Sequence, residues 1–260
     1  MRSLIRADKS MVEDNFSKYA NLYDKYADIQ CLAAKELISK SPDQNIRNIL
    51  DVGCGTGSYT LLLRKKYNLA HIKAVDISRD MVDVARTKFE KGGIEFIVAD
   101  AEEIEFTGEF DLITSNAAFQ WFNDPGSFLA GYKNALREEG SILFSTFGPL
   151  TFRELSLSVK DALGKDIRIS SDGFPGKEEL AGMMKDLFRK SAVEETVIKK
   201  KYVSLEELLR HIKYTGARGR GISGISLWRK TMLDRIEEAY MSNFGGIEAS
   251  YQIFYCRASG

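Results

Sequence analysis

Two histidines, three cysteines and no excess of either charge are the scarcities that first narrow this 260-residue sequence. Lysine plus arginine equals aspartate plus glutamate at 37 each, so no global field draws the chain to nucleic acid or to an anionic membrane. Any electrostatic partner must therefore be met by a local patch. Cys31, Cys54 and Cys256 are odd in number and lack C-x-x-C spacing, which argues against a disulfide framework or a zinc knuckle and suits a reducing compartment. No run approaches the roughly 20 apolar residues of a membrane span. The opening MRSLIRADKSMVEDNF has no signal-peptide core, so the expectation is a soluble cytoplasmic protein. With only His71, on an expected strand, and His211, in a late helical stretch, a histidine base is poorly supplied. No grouping of His, Cys and carboxylates suggests a magnesium or other metal site.

What is present is alternation. From Arg47 the runs RNILDVG, HIKAVDI, IEFIVAD, FDLITSN and SILFSTF are β-rich, and they are separated by the helical patterns SYTLLLRKKY, SRDMVDVARTKFE and DPGSFLAGYKNALRE. That order implies right-handed βαβ units and an α/β fold with a doubly wound, mostly parallel sheet. VEETVIKKKYV and ASYQIFYCRA bring the strands to seven. Ser78 and Asp124 stand where helix N-caps belong, and Pro125 suits a first helical position. Aromatic-rich helices are expected over 10–40, and more helix over 151–163, 176–188 and 204–248 than a sheet needs for cover. A single domain over 1–260 is expected, with 10–40 and 204–248 as helical lids at the C-terminal strand edge, where ligands of open α/β sheets bind.

The informative stretch is ILDVGCGTGSYT at 49–60. Glycines alone also serve tight turns, but here Asp51 precedes Gly53, Gly55 and Gly57 in a G-x-G-x-G spacing that differs from the G-x-G-x-x-G of pyrophosphate binders. An acid at that point suits an amine better than a phosphate. Asp76 ends the second strand, placed for ribose hydroxyls; Asp100 ends the third, placed to reach an adenine amino group. The absence of a G-K-[ST] ending excludes a P-loop, while a nicotinamide cofactor stays open on the strength of Asp76. Cys54 reads as a small space-filler. These residues together resemble the class I S-adenosylmethionine-dependent methyltransferases, which implies a Rossmann-like seven-stranded sheet and S-adenosyl-L-methionine as cofactor.

The fourth strand runs into SNAAFQWF at 115–122, which keeps the spacing of the N-P-P-[YF] type of base methyltransferase without its prolines, so base methylation loses support. A carboxylate acceptor fits better, because it is already ionised near neutral pH and needs no general base; no catalytic side chain is expected. Phe119, Trp121 and Phe122 are candidate walls of a dry pocket, with Gln120, Tyr19 and Tyr23 as polar tips; Phe16 and Phe122 read more readily as core. Burial of the carboxylate calls for a cation or several donors.

Over nearly its full length the sequence resembles the malonyl-[acyl-carrier-protein] O-methyltransferases of biotin synthesis. The segments that carry this are NFSKYANLYDKYADIQ, LDVGCGTG, SNAAFQWF, STFGPLTFREL, HIKYTGARG and ASYQIFYCRA. The resemblance implies methylation of the free carboxylate of a malonyl thioester on acyl carrier protein or coenzyme A, giving a neutral primer that proceeds toward pimelate. It implies that Asp51, Gly53, Gly55, Gly57, Asp76, Ile77, Asp100 and Ala101 bind the cofactor and that Asn116 closes that site. Tyr19, Tyr23, Gln120 and Trp121 would border the transfer point, and Lys213 or Arg218 would pair with the malonyl carboxylate or the carrier's phosphopantetheine. Lys199, Lys200 and Lys201, together with Arg210, Lys213, Arg218 and Arg220, would form a dock for an acidic carrier protein.

Overall fold

Alternating apolar runs become alternating strands and helices in the computed structural model, which describes residues 9–43, 46–89, 93–164, 169–216 and 229–260. Strands β1 (Asn48–Val52), β2 (His71–Asp76), β3 (Ile94–Val98), β4 (Phe110–Asn116), β5 (Leu136–Phe147), β6 (Lys190–Tyr202) and β7 (Ile247–Ser259) form one sheet in the order β3-β2-β1-β4-β5-β7-β6. The first five run parallel, and β7 lies antiparallel between β5 and β6. In β1, Ile49, Leu50, Asp51 and Val52 are all buried, because helices cover both faces of a central parallel strand.

Helices α4 (Ser58–Lys66), α5 (Arg79–Thr87) and α6 (Pro125–Ala135) follow β1, β2 and β4. Ser78 caps α5 by accepting from the Met81 N–H at 3.2 Å, and Asp124 caps α6 by accepting from the Ser127 N–H at 3.0 Å. The sequence pattern carried α6 on through Glu138, but the helix stops at Ala135. Leu136 is extended (φ −75°, ψ 147°) and pairs with Phe110, so tertiary pairing claims the last residues of the helical pattern for β5.

Three helices precede the sheet, α1 (Lys9–Ser17), α2 (Ala20–Tyr26) and α3 (Asp28–Ser39). After β5 come α7 (Arg153–Leu163), α8 (Lys177–Leu187), α9 (Leu205–Tyr214) and α10 (Lys230–Phe244). One apolar core joins α3, α4, α7, α9 and α10 to the sheet through Leu37, Leu63, Leu155, Leu208 and Tyr240; a second joins α6 and α8 through Leu129, Leu180 and Met184. Helix α10 thus packs on α7 and β7, while α9 turns its last residues toward the carboxyl end of the sheet.

Glu154 fastens α7 to β7. Its carboxylate is 1% exposed and accepts from the Ser250 N–H at 2.8 Å and the Ser250 hydroxyl at 2.7 Å. Glu154→Ala leaves two buried donors without an acceptor, and a loss of about 2–3 kcal/mol in urea-induced unfolding is expected. An unchanged midpoint and slope would show that the clamp contributes nothing.

Candidate functional site

Strand order reverses between β1 and β4, which opens a crevice at their carboxyl ends. The turn leaving β1 is bonded back to β2 by the N–H groups of Gly53 and Cys54, both donating to the Val75 carbonyl at 2.8 and 3.0 Å. Gly53 has φ +69°, and a Cβ there would lie 2.4 Å from that of Ala118. Gly57, with φ +78°, fits against Ala85 and Phe89, each 3.1 Å from a Cβ placed on it. Gly55 differs: at φ +53° it faces open space, and that space is a cavity. The three glycines therefore serve three ends, close approach of the β4 loop, close packing of α5, and a bare backbone wall.

Asp76 joins this turn to the next. Its Oδ2 accepts from the Gly55 N–H at 2.8 Å and its Oδ1 from the Ser78 N–H at 2.9 Å. Burial pushes its pKa up, against the pull of those two bonds, and Glu13 adds to the rise. Asp76 lines the cavity, and each oxygen, with one bond made, keeps further lone-pair capacity.

The crevice there holds about 690 Å³ of space between protein atoms, part of it open to solvent. Gly53, Gly55, Asp76, Ile77, Asp100, Ala101 and Asn116 line it. Helix α1 closes it with Lys9, Val12 and Phe16. Lys9 reaches Asp100 at 2.8 Å, pairs also with Glu102, and lies 5.5 Å from the centroid of the Phe122 ring. The Ser17 and Ser78 hydroxyls meet at 2.8 Å.

Beneath the turn, Asp51 is fully buried. Thr60 donates to its Oδ2 at 2.6 Å, while Oδ1 has no partner. Burial raises its pKa to about 7, with Thr60 opposing and Asp76 adding to the rise. An orphaned carboxylate oxygen behind the loop, and a glycine wall with nothing opposite it, suit a compact ligand that carries positive charge better than a pyrophosphate.

A second, narrower cavity, about 490 Å³ when the solvent at its mouth is counted, shares Phe16, Tyr23, Ala117 and Trp121 with the first. Its walls are aromatic: Trp121 meets Phe16 at 6.0 Å and Phe174 at 5.6 Å, both edge to face. Gln120 is fixed between the Ala117 carbonyl, to which Nε2 donates at 2.7 Å, and the Thr146 hydroxyl, which donates to Oε1 at 3.1 Å. Ala117 holds a left-handed φ of 54°, a strained conformation at the point where the cavities join. Asn116 bridges elements there, donating to the Gln30 carbonyl at 3.2 Å and accepting from the Ser145 hydroxyl at 2.8 Å. Burial and the Asp76 charge push the Tyr23 hydroxyl's pKa up, so it stays protonated.

Not every expected site residue lines a cavity. Asp51 and Gly57 lie behind the turn, where one is buried and the other packs on α5. Tyr23, Gln120 and Trp121 line the second cavity, but Tyr19 and Lys213 line neither. Tyr19 packs edge to face on Tyr214 at 5.0 Å, and the Lys213 ammonium stands 5.4 Å from the Tyr19 ring centroid, so α2 and α9 meet through these side chains. Arg218 and Arg220 lie outside the described residues. Phe119 turns inward and stacks on Phe144 at 4.2 Å, so it is core and not wall. Phe16, read as core, stands instead at the junction of the cavities. Of the basic run on edge strand β6, Lys199 pairs with Glu248 at 3.3 Å and Lys200 with Asp28 at 2.7 Å; Arg210 pairs with Glu206 at 2.7 Å. Sequence reading missed Lys9 and Val12, because nothing in α1 marks which face will cross the crevice. It also missed Asp28 and left the role of His211 open; both line the second cavity, from α3 and α9.

The profile of the methyltransferase domain family matches residues 50–144. The malonyl-[acyl-carrier protein] O-methyltransferase 2 of Ilyobacter polytropus is 34% identical over 253 residues, covering 95% of this chain and 96% of that protein. The malonyl-[acyl-carrier protein] O-methyltransferase of Acetivibrio thermocellus is 33% identical over 270 residues, covering 95% and 93%. Among solved structures, the YcgJ protein of Bacillus subtilis superposes with a TM-score of 0.62 at 16% identity, over 88% of this chain and 97% of that one, a likeness of fold.

The buried acid gives a pH test. The folded pKa of Asp51, about 7, exceeds the unfolded value of about 3.9, so between those values the native state holds a proton that the unfolded chain has lost. That group's contribution to stability therefore falls as pH rises through the window. Asp51→Asn cannot titrate, and the ligand-free variant is expected to show a shallower loss across about pH 4 to 7 in urea unfolding. Coincident slopes would place Asp51 as already ionised.

Proposed function

Because the chain belongs to the malonyl-[acyl-carrier protein] O-methyltransferase family, we infer that it methylates the free carboxylate of a malonyl thioester, the reaction that opens biotin synthesis, and that the thioester is carried by acyl carrier protein. The cofactor is S-adenosylmethionine, which supplies the electrophilic methyl group when bound. The observation that carries the assignment of sites is the meeting of a glycine-and-acid cavity with an aromatic one at Phe16, Tyr23, Ala117 and Trp121.

On this reading the bare backbone of Gly53 and Gly55 lets the cofactor approach the turn, Asp76 accepts from ribose hydroxyls with its remaining lone pairs, and Asp100 faces the adenine. The buried Asp51 charge favours the cationic end from behind the turn, and Asn116 closes the floor. Phe16 and Trp121 keep water from the junction, where hydration would shield the carboxylate. The acceptor is its own nucleophile, ionised far below neutral pH, so the residues orient and desolvate and none takes up its proton. Methylation removes the charge and leaves a neutral ester, which resembles an ordinary acyl primer and can be elongated toward pimelate. The comparisons favour this reading over hydride transfer to a nicotinamide.

Incubation with labelled S-adenosylmethionine and malonyl carrier protein is expected to give a base-labile labelled ester. No transfer to either malonyl carrier protein or malonyl coenzyme A would refute the assignment. In a separate test, Asp76→Ala removes a charged acceptor, for which about 1.5–3 kcal/mol is typical, so affinity for S-adenosylhomocysteine is expected to fall roughly tenfold or more by calorimetry. Unchanged affinity would remove Asp76 from the cofactor site.

A further inference from the structure

If the second cavity receives an ionised acid, something there must meet its charge, since an unpaired buried carboxylate is strongly disfavoured. Among the described residues of that lining no lysine or arginine occurs, and the only charged or chargeable groups besides tyrosines are Asp28 and His211. Several polar groups are already engaged. Gln120 Nε2 donates to Ala117, the Thr215 hydroxyl to the His211 carbonyl at 2.8 Å, and the Thr151 hydroxyl to the Gln252 carbonyl at 3.3 Å; Tyr251 is paired with Tyr202. Tyr23 and Gln30 add neutral polar groups, and among the described lining residues His211 alone can become a cation.

The His211 ring is gripped edge to face between Tyr26, at 5.1 Å, and Tyr202, at 5.2 Å. Its Nδ1 lies 3.4 Å from the Tyr26 carbonyl and 3.8 Å from Asp28 Oδ1, and both of these only accept. Nδ1 therefore carries a proton in either charge state, which leaves Nε2 as the nitrogen that changes. Neutral, Nε2 offers a lone pair that repels a carboxylate; protonated, it donates to one.

We propose that His211, protonated as the substrate enters, is the cationic partner of the acceptor carboxylate in the second cavity, and thereby selects thioesters that carry a free acid. This rests on the function inferred above. Every charged group facing the ring bears on its proton. Burial and Lys200 of β6 disfavour the charged form; Asp28 of α3, the Tyr26 carbonyl of α2 and Glu207 of α9 favour it, and the balance without substrate lies toward neutral. A substrate carboxylate tips that balance, so binding takes up a proton from solvent. One carboxylate oxygen then forms the bond to the methyl carbon as the methyl–sulfur bond breaks, its electron pair staying on sulfur. The other oxygen remains with Nε2. The product ester has no charge to hold the proton, which returns to solvent as the ester leaves.

Two measurements test this on the full chain saturated with S-adenosylhomocysteine or S-adenosylmethionine. First, malonyl carrier protein is titrated calorimetrically into the wild-type complex at pH 7.5 in two buffers of different ionisation enthalpy. Uptake of up to about one proton is expected, and no uptake would overturn the proposal whatever any variant does. Second, kcat and KM are followed against pH for the wild type, H211Q and H211N; two variants are made because the ring is clasped by tyrosines. Wild-type kcat/KM is expected to fall with rising pH through one ionisation. The variants are expected to keep S-adenosylhomocysteine affinity, to raise KM for malonyl carrier protein roughly tenfold or more below that ionisation, and to lose the pH dependence. They should also lose the preference for binding malonyl carrier protein over its methyl ester. A variant with wild-type KM, pH profile and preference would overturn the role of His211. If the wild type methylates no malonyl thioester at all, the underlying function fails instead.

Discussion

A single carboxylate organises the crevice: Asp76 receives the Gly55 N–H on one oxygen and the Ser78 N–H on the other. The turn after β1, the end of β2 and the start of α5 are thereby one unit. Hydrogen bonds to an ionised acceptor are about twice as strong as neutral ones, and a carboxylate with two of them cannot swing away. The Gly53 and Cys54 N–H groups fasten the same turn to Val75. Because the strand order reverses between β1 and β4, the ground above this unit is left uncovered by the sheet's own crossovers, and the N-terminal helix α1 fills it.

The electrostatic character of the first cavity follows. Asp51, Asp76 and Asp100 stand around or behind it, and the lysine in its described lining, Lys9, is held by Asp100 and Glu102. Such a site repels a diphosphate and favours a ligand with positive charge. The raised pKa values of Asp51 and Asp76 express the same crowding, since acids that cannot shed charge to water bind protons more tightly. A cationic ligand relieves it. Specificity for a sulfonium-bearing nucleoside over a dinucleotide can thus be written in acids alone.

The second cavity works by contrast. Its wall is built of rings from α1, α2, the loops after β4 and β5, and β7, and these give apolar surface without a fixed countercharge. Where the first cavity is walled by several acids, the second carries one carboxylate, Asp28, among aromatic and neutral polar groups. On the function inferred above, opposite preferences on the two sides of Phe16, Tyr23 and Trp121 would bring the reacting partners to one place. The left-handed backbone of Ala117 at that place is tolerated because Gln120 and Ser145 bond it on both sides.

The sequence by itself determined the βαβ succession, the glycine turn, the acids at the strand ends and the caps Ser78 and Asp124. All of these are local: period, turn chemistry and capping act within a few residues. The resemblance carried by the flanking segments pointed to the family in the same way. Tertiary structure decided the rest. Seven of the nine expected cofactor residues line the first cavity, yet Asp51 and Gly57 lie behind it, because side-chain direction at a tight turn depends on what packs against the turn. Phe119 and Trp121, two residues apart, went to the core and to the cavity wall respectively, since a single 3₁₀ turn separates their directions. Lys9, Phe16 and His211 reached the site from helices far apart in the chain, and an amphipathic pattern shows that such a helix has an inner face without showing what that face will meet.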